Sequence, residues 1–233
     1  MARLLVLVEG ETEETFVKEI LRPHLYGSVE YGYEKVAARL IGNARQRDRR
    51  GGIRPWSSVR GDILGHLRED QGSIVTTMVD YYALPQTGGR AWPGRAKAGG
   101  LPFAQKATTV EDALFADVGQ NMGRNFDARR FIPFVMMHEF EGLLFSDCDL
   151  FASGIEQPDL AQKFQAIRNQ FTSPEEINDS PITAPSKRVQ ELVPGYEKPL
   201  LGTLAIIEIG LDKIRAECPH FRHWLERLET WQI

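Results

Sequence analysis

Four glutamates, Glu9, Glu11, Glu13 and Glu14, follow directly on the apolar run LLVLV (Leu4 to Val8) near the start of the chain. Two further strand-like runs end in the same way: TTMV closes on Asp80, and FVMM closes on His138-Glu139-Phe140-Glu141. The carboxyl ends of parallel strands line one edge of a sheet, and ligands bind in the crevice there. Carboxylates gathered at such an edge repel one another unless a cation stands between them or one takes up a proton. An all-oxygen set of this kind suits a hard cation that keeps some of its waters. The spacing therefore predicts Glu9, Asp80 and Glu139 or Glu141 as ligands of Mg2+ or Mn2+. Glu13 and Glu14 also read as first-turn charges of a following helix, where the helix dipole favours acids whether or not a ligand is present.

The elements that must position these residues follow from periodicity. Leu4 to Val8 has the length and continuous apolarity of a strand covered on both faces. Thr12 to Leu25 then carries apolar residues at helical spacing. Further strands are predicted over Tyr33 to Ile41, Ser73 to Val79 and Phe131 to Met137, with helices over Val59 to Leu67 and Thr109 to Val118. Alternation of this kind implies an α/β fold, a mainly parallel central sheet flanked by helices. After Leu150 only helical patterns remain, over 159–171, 185–192, 203–216 and 218–231. Residues 1–148 thus read as the α/β domain and 149–233 as a helical extension packed on it.

Composition limits the function classes. The chain has 233 residues and a formal net charge of -4, so it is no general polycation, and contact with a polyanion must come from local basic patches. Two such patches exist. NARQRDRRGG carries Arg45, Arg47, Arg49 and Arg50, and GGRAWPGRAKAGG carries Arg90, Arg95 and Lys97 with Trp92 among them. Both follow predicted strands and would rim the acidic edge. There they could follow a phosphate backbone while Trp92 stacks on a base. Two cysteines are too few for a disulfide scaffold, and no apolar run reaches membrane-spanning length, so a cytoplasmic protein is expected. Cys218, His220 and His223 read as packing or capping residues rather than a zinc set, and Tyr81 and Tyr82 as packing residues rather than covalent nucleophiles. Asp147 and Asp149 read as turn or cap residues.

VEGETE after the first strand, with Asp80 and HEFE after later ones, resembles the Toprim fold shared by topoisomerases, primases and OLD-type nucleases. More closely, VDYYALP (Val79 to Pro85), HEFEGLLF (His138 to Phe145), TAPSKR (Thr183 to Arg188) and GLDKIRAECPHFRHWL (Gly210 to Leu225) resemble the DUF4276 family, a Toprim-like group. The resemblance implies a Mg2+- or Mn2+-dependent nuclease acting on DNA or RNA in a prokaryotic antiviral defence system, with Glu9 and Asp80 as metal ligands. Tyr82 replaces the usual second aspartate, and Glu139 and Glu141 are expected to complete the shell. Such a mechanism would use Glu9 or Glu13 as general acid or base. It would place Lys187 near the developing charge, with Arg188 beside it on the nucleic acid. The resemblance also implies an ABC-type or AAA-type ATPase partner; this chain has no GxxxxGK[ST] loop, so the ATPase would be another subunit. Self-association into a homo-oligomer is compatible with this reading. The alternative is a non-catalytic subunit whose acidic edge holds metal or phosphate while it regulates the ATPase.

Overall fold

The structure, a computed structural model, describes residues 2–27, 30–41, 53–177 and 182–231. Its centre is a parallel sheet in the order β2-β1-β3-β4, built from β1 (Ala2–Val8), β2 (Tyr33–Leu40), β3 (Ser73–Asp80) and β4 (Phe131–Ile132). A fifth short strand, β5 (Val135–Met136), also pairs with β3 and continues the line of β4. β1 lies between β2 and β3, with Leu4 opposite Val36 on one side and Ile74 on the other.

The period of two along each strand divides the core into two layers. Leu4, Val6 and Val8 of β1, with Ile74 and Met78 of β3, face the helical turns Glu11–Leu25 and the helices of the last third of the chain. Leu7 of β1, with Val75 and Val79 of β3, faces Val59, Ile63 and Leu67 of the helix Trp56–Glu69 and Val110, Leu114 and Val118 of the helix Phe103–Met122. Burial on both faces explains why LLVLV of β1 reads as an unbroken apolar run and why β3 is rich in β-branched residues, rather than either strand alternating with charged ones. The C-terminal region is helical, with α-helices Cys148–Gly154, Ala161–Arg168, Pro185–Leu192, Thr203–Glu217 and Pro219–Glu229. No helix among the described residues is long and apolar enough to cross a membrane.

Several boundaries differ from the sequence expectation for identifiable reasons. The apolar run Phe131 to Met137 is not one strand, because Pro133 has no N–H to give a ladder and interrupts it between β4 and β5. Across the break the Thr77 hydroxyl donates to the Phe134 carbonyl and accepts from the Phe134 N–H, each at 2.9 Å. The helix expected from Thr109 starts at Phe103, after Pro102, so Thr109 lies inside it rather than at its cap. The helix Thr203–Glu217 is kinked at Gly210, whose φ of +73° suits glycine alone. The helix Cys148–Gly154 had no strong periodic signal; it is capped by Asp147, which accepts from the Leu150 N–H at 3.0 Å.

Candidate functional site

Parallel topology puts Val8, Asp80 and Met136 at neighbouring strand ends, so the residues that follow β1, β3 and β5 meet at one edge. Three of the acids there are each held by a backbone N–H of another segment. Glu9 Oε2 accepts from the Asp80 N–H at 3.3 Å, and Asp80 Oδ1 accepts from the Phe140 N–H at 3.1 Å. Glu139 Oε2 accepts from the Ser186 N–H, on the helix Pro185–Leu192, at 3.0 Å. Glu13 joins them from the first helical turn after β1, its Oε2 only 2.9 Å from where a Cβ on Gly10 would lie. A side chain at position 10 would therefore press on this carboxylate and shift it.

The cation in this cluster comes from the C-terminal region. Lys198 opens the helical turn Lys198–Gly202, and its Nζ lies 3.4 Å from Glu13 Oε1, 3.5 Å from Asp80 Oδ2 and 3.1 Å from Glu141 Oε2. Glu141 Oε1 is buried without a hydrogen-bond partner, as is the hydroxyl of Tyr196. The electrostatics follow from burial and crowding. Burial, then the charge of Glu13, raises the Glu9 carboxyl to about 7. Burial also raises Asp80 well above the carboxylate range and raises Glu141, in both cases against the pull of Lys198. Burial alone would lower the Lys198 ammonium, but Asp80, Glu141 and Glu13 outweigh it and hold Lys198 well above its usual range. Lys198 is thus a fixed positive charge at neutral pH, unable to serve as a base or an amine nucleophile.

Mg2+ or Mn2+ fits this set in kind but not in present arrangement. Glu9, Glu13, Asp80, Glu139 and Glu141 offer the hard oxygens such ions take, and the unpartnered Glu141 Oε1 is an oxygen a cation would satisfy. Among the described residues, however, no three His, Cys, Asp or Glu side chains form a group able to hold a metal ion. The Lys198 ammonium stands between three of the carboxylates instead.

The other residues singled out from sequence lie as follows. Lys187 is exposed, and its Nζ donates to Gln190 on its own helix at 3.1 Å. Arg188 donates through Nε to the Thr183 carbonyl at 3.1 Å, and its guanidinium lies over the Phe171 ring. The segment TAPSKR does reach the acidic edge, but through the Ser186 amide. Arg90 and Lys97 are exposed, Arg90 donating to the Ile53 carbonyl at 2.9 Å. Arg95 is buried, its guanidinium 3.7 Å from the centre of the Tyr81 ring and its Nε bonded to the Tyr81 carbonyl. Trp92 offers no face to a base: it is buried against Trp56 and donates to the Arg54 carbonyl at 3.0 Å. Arg45, Arg47, Arg49 and Arg50 lie outside the described residues. Tyr82 stacks on His138, and burial pushes its hydroxyl up to about 12, so it stays protonated. His138 is lowered to about 4 by burial and is neutral at physiological pH.

Sequence reasoning missed Lys198 and Tyr196. They sit in GYEKP, a loop-like stretch whose only signal is a lysine before a proline, and Lys198 lies 118 residues from Asp80.

The match that decides the family runs over residues 8–229, from the last residue of β1 to the last turn of the helix Pro219–Glu229, and is to the domain of unknown function DUF4276. The chain belongs to the DUF4276 family. The DUF4276 match takes in both halves of the cluster, the strand-end acids and the Lys198 turn. No curated protein and no solved structure matches this DUF4276 chain.

Proposed function

We propose that this DUF4276 chain is a nuclease that hydrolyses phosphodiester bonds of DNA or RNA at the carboxyl edge of its sheet, dependent on Mg2+ or Mn2+. The observation that carries the reading is the meeting at one sheet edge of Glu9, Asp80 and Glu141, with Glu9 bonded to the Asp80 N–H, Lys198 between Asp80 and Glu141, and a buried Glu141 oxygen that has no partner. A protein gains nothing in stability from gathering like charges, so a cluster of perturbed carboxylates in one place points to chemistry. The bound ion would polarise the phosphodiester and supply an activated water. Of the chain's own groups, Glu9 suits proton transfer, since a carboxyl raised to about 7 is present in both forms at neutral pH. Arg90 and Lys97 are exposed cations after β3 that suit phosphate contacts. The Toprim-type ancestry and the ABC-type or AAA-type ATPase partner rest on the motif resemblance, and they belong to the same proposal.

One observation favours a second reading, a non-catalytic subunit that regulates such an ATPase. The Lys198 ammonium already occupies the middle of the acids, as it would in a purely structural cluster. Incubating the purified chain with single-stranded DNA, duplex DNA and tRNA, with Mg2+ or Mn2+, alone and with any ABC-type or AAA-type ATPase that co-purifies with it, separates the two. Cleavage that stops on chelation and falls at least about 100-fold in Asp80→Asn and Glu9→Gln, with circular dichroism unchanged, is expected. Cleavage indifferent to chelator and to both substitutions overturns the nuclease reading, and absence of cleavage under every condition favours the regulatory one.

A further inference from the structure

Lys198 differs from the carboxylates around it in one respect that bears on how the site works. Its side chain is 34% exposed, against 2% for Glu13, 11% for Asp80 and 1% for Glu141. The acids lie behind, and the lysine reaches in from the solvent side with its ammonium foremost.

We propose that Lys198 is the resident cation of this cluster, and that a divalent metal ion enters by exchange with it, moving the ammonium out to the solvent rim. The proposal rests on the metal-dependent reading of the site.

Three observations lead to exchange rather than coexistence. Lys198 Nζ already lies 3.1 to 3.5 Å from carboxylate oxygens of Glu13, Asp80 and Glu141, the oxygens a metal would need, and two cations cannot share that point. Its fit is loose: charge-assisted N–H···O bonds run at roughly 2.7–2.9 Å, and here three longer approaches are spread over three acids. It also leaves Glu141 Oε1 without a partner in a fully buried position. The single ammonium of Lys198 faces the carboxyls of Glu13, Asp80 and Glu141 at once, with Glu9 beside them on the Asp80 N–H. A doubly charged ion with several coordination positions would meet both needs better. The movement asked of the chain is small, because lysine carries its charge on a flexible four-carbon stem that swings without disturbing the backbone.

The test uses the full chain and Mn2+ as the probe, with two readouts that need no nuclease activity. Acylation of lysines, read by mass spectrometry, should be slow at Lys198 without metal and at least about fivefold faster at saturating Mn2+, with exposed Lys97 unchanged as the internal control. Calorimetric titration should show Mn2+ bound at least about tenfold more tightly by Lys198→Met than by the natural chain. Removal of any nearby positive charge tightens metal binding to some degree, so the labelling result decides between exchange and simple electrostatics. Lys198 labelling that is unchanged or slowed in the metal-saturated natural chain overturns the exchange, as does failure of both proteins to bind Mn2+. If Lys198→Met does not fold, labelling of the natural chain is decisive by itself. Metal-driven exposure of Lys198 without any cleavage would leave exchange standing and remove the nuclease reading; metal-dependent cleavage with Lys198 still shielded would do the reverse.

Discussion

At the scale of the residue, Glu141 is the acid for which burial of a carboxylate is most costly. It is fully buried, one of its oxygens has no partner, and burial raises its carboxyl in spite of the Lys198 ammonium. Replacing a buried carboxylate by its neutral isostere should therefore stabilise the protein while harming the site, the usual trade at a functional cluster. Glu141→Gln is expected to raise the melting temperature in chelator by a few degrees, about 1 kcal/mol in a chain of this size, and to abolish any metal-dependent cleavage. A melting temperature that falls would mean that the ion pair with Lys198 is worth more than the repulsion among the acids. The placement of Glu9, Asp80, Glu139 and Glu141 was legible in sequence because each follows closely on a buried apolar run. Lys198 was not, because its relation to Asp80 exists only after the C-terminal helices have closed over the strand edge.

At the scale of the element, the helix Pro219–Glu229 is fixed by a carboxylate from elsewhere in the chain. Glu175 accepts from the His220 N–H at 2.8 Å and the Phe221 N–H at 2.9 Å, satisfying two first-turn donors that have no partner within the helix. Glu175→Ala strands both, and should lower stability by about 1–3 kcal/mol, read as a lower urea midpoint with unchanged slope. The same helix carries Trp224, stacked on Phe134 at 4.5 Å and bonded to the Thr76 hydroxyl at 2.9 Å, so it is anchored directly to the sheet. Helices and strands with a clear period were legible from sequence over most of their length. Two kinds of feature were not. One is interruption by a single residue, as at Pro133, where apolarity continues although the ladder stops. The other is short helices without a period of their own, such as Cys148–Gly154, which is fixed by tertiary packing rather than by pattern. Gly154 sits so close to the helix Thr203–Glu217 that a Cβ there would lie 2.8 Å from the Ala205 Cα, a contact that no window of local sequence could reveal.

At the scale of the whole molecule, the C-terminal region is tied to the sheet by a titratable pair. His220 Nε2 lies 2.9 Å from Glu111 Oε1 on the helix Phe103–Met122, and the same oxygen accepts from the Val135 N–H at 2.8 Å. Burial alone would lower the His220 imidazolium; the hydrogen bond and charge of Glu111, with the charge of Glu175, outweigh it and raise it above its usual 6.5. A raised folded-state value means that the folded protein holds this proton more tightly than the unfolded chain does. The contribution is therefore complete below about pH 6.5 and is lost as pH climbs through the raised value. Melting temperatures measured from pH 6 to pH 9 should fall more steeply for the natural chain than for His220→Gln. Parallel curves would mean that His220 holds its place by stacking on Phe134 alone.

Thr77, at the break between β4 and β5, carries a consequence that reaches the rim. Where Pro133 denies the last strand its ladder, one hydroxyl splices the sheet by holding both the N–H and the carbonyl of Phe134. The acids at Glu139 and Glu141 hang downstream of that splice, so their setting is inherited from a polar atom in the dry interior. A fault in the chemistry of this protein need not lie among its acids: loss of one oxygen beneath them, as in an isosteric change to valine, would leave every charge in place and mis-set two of them.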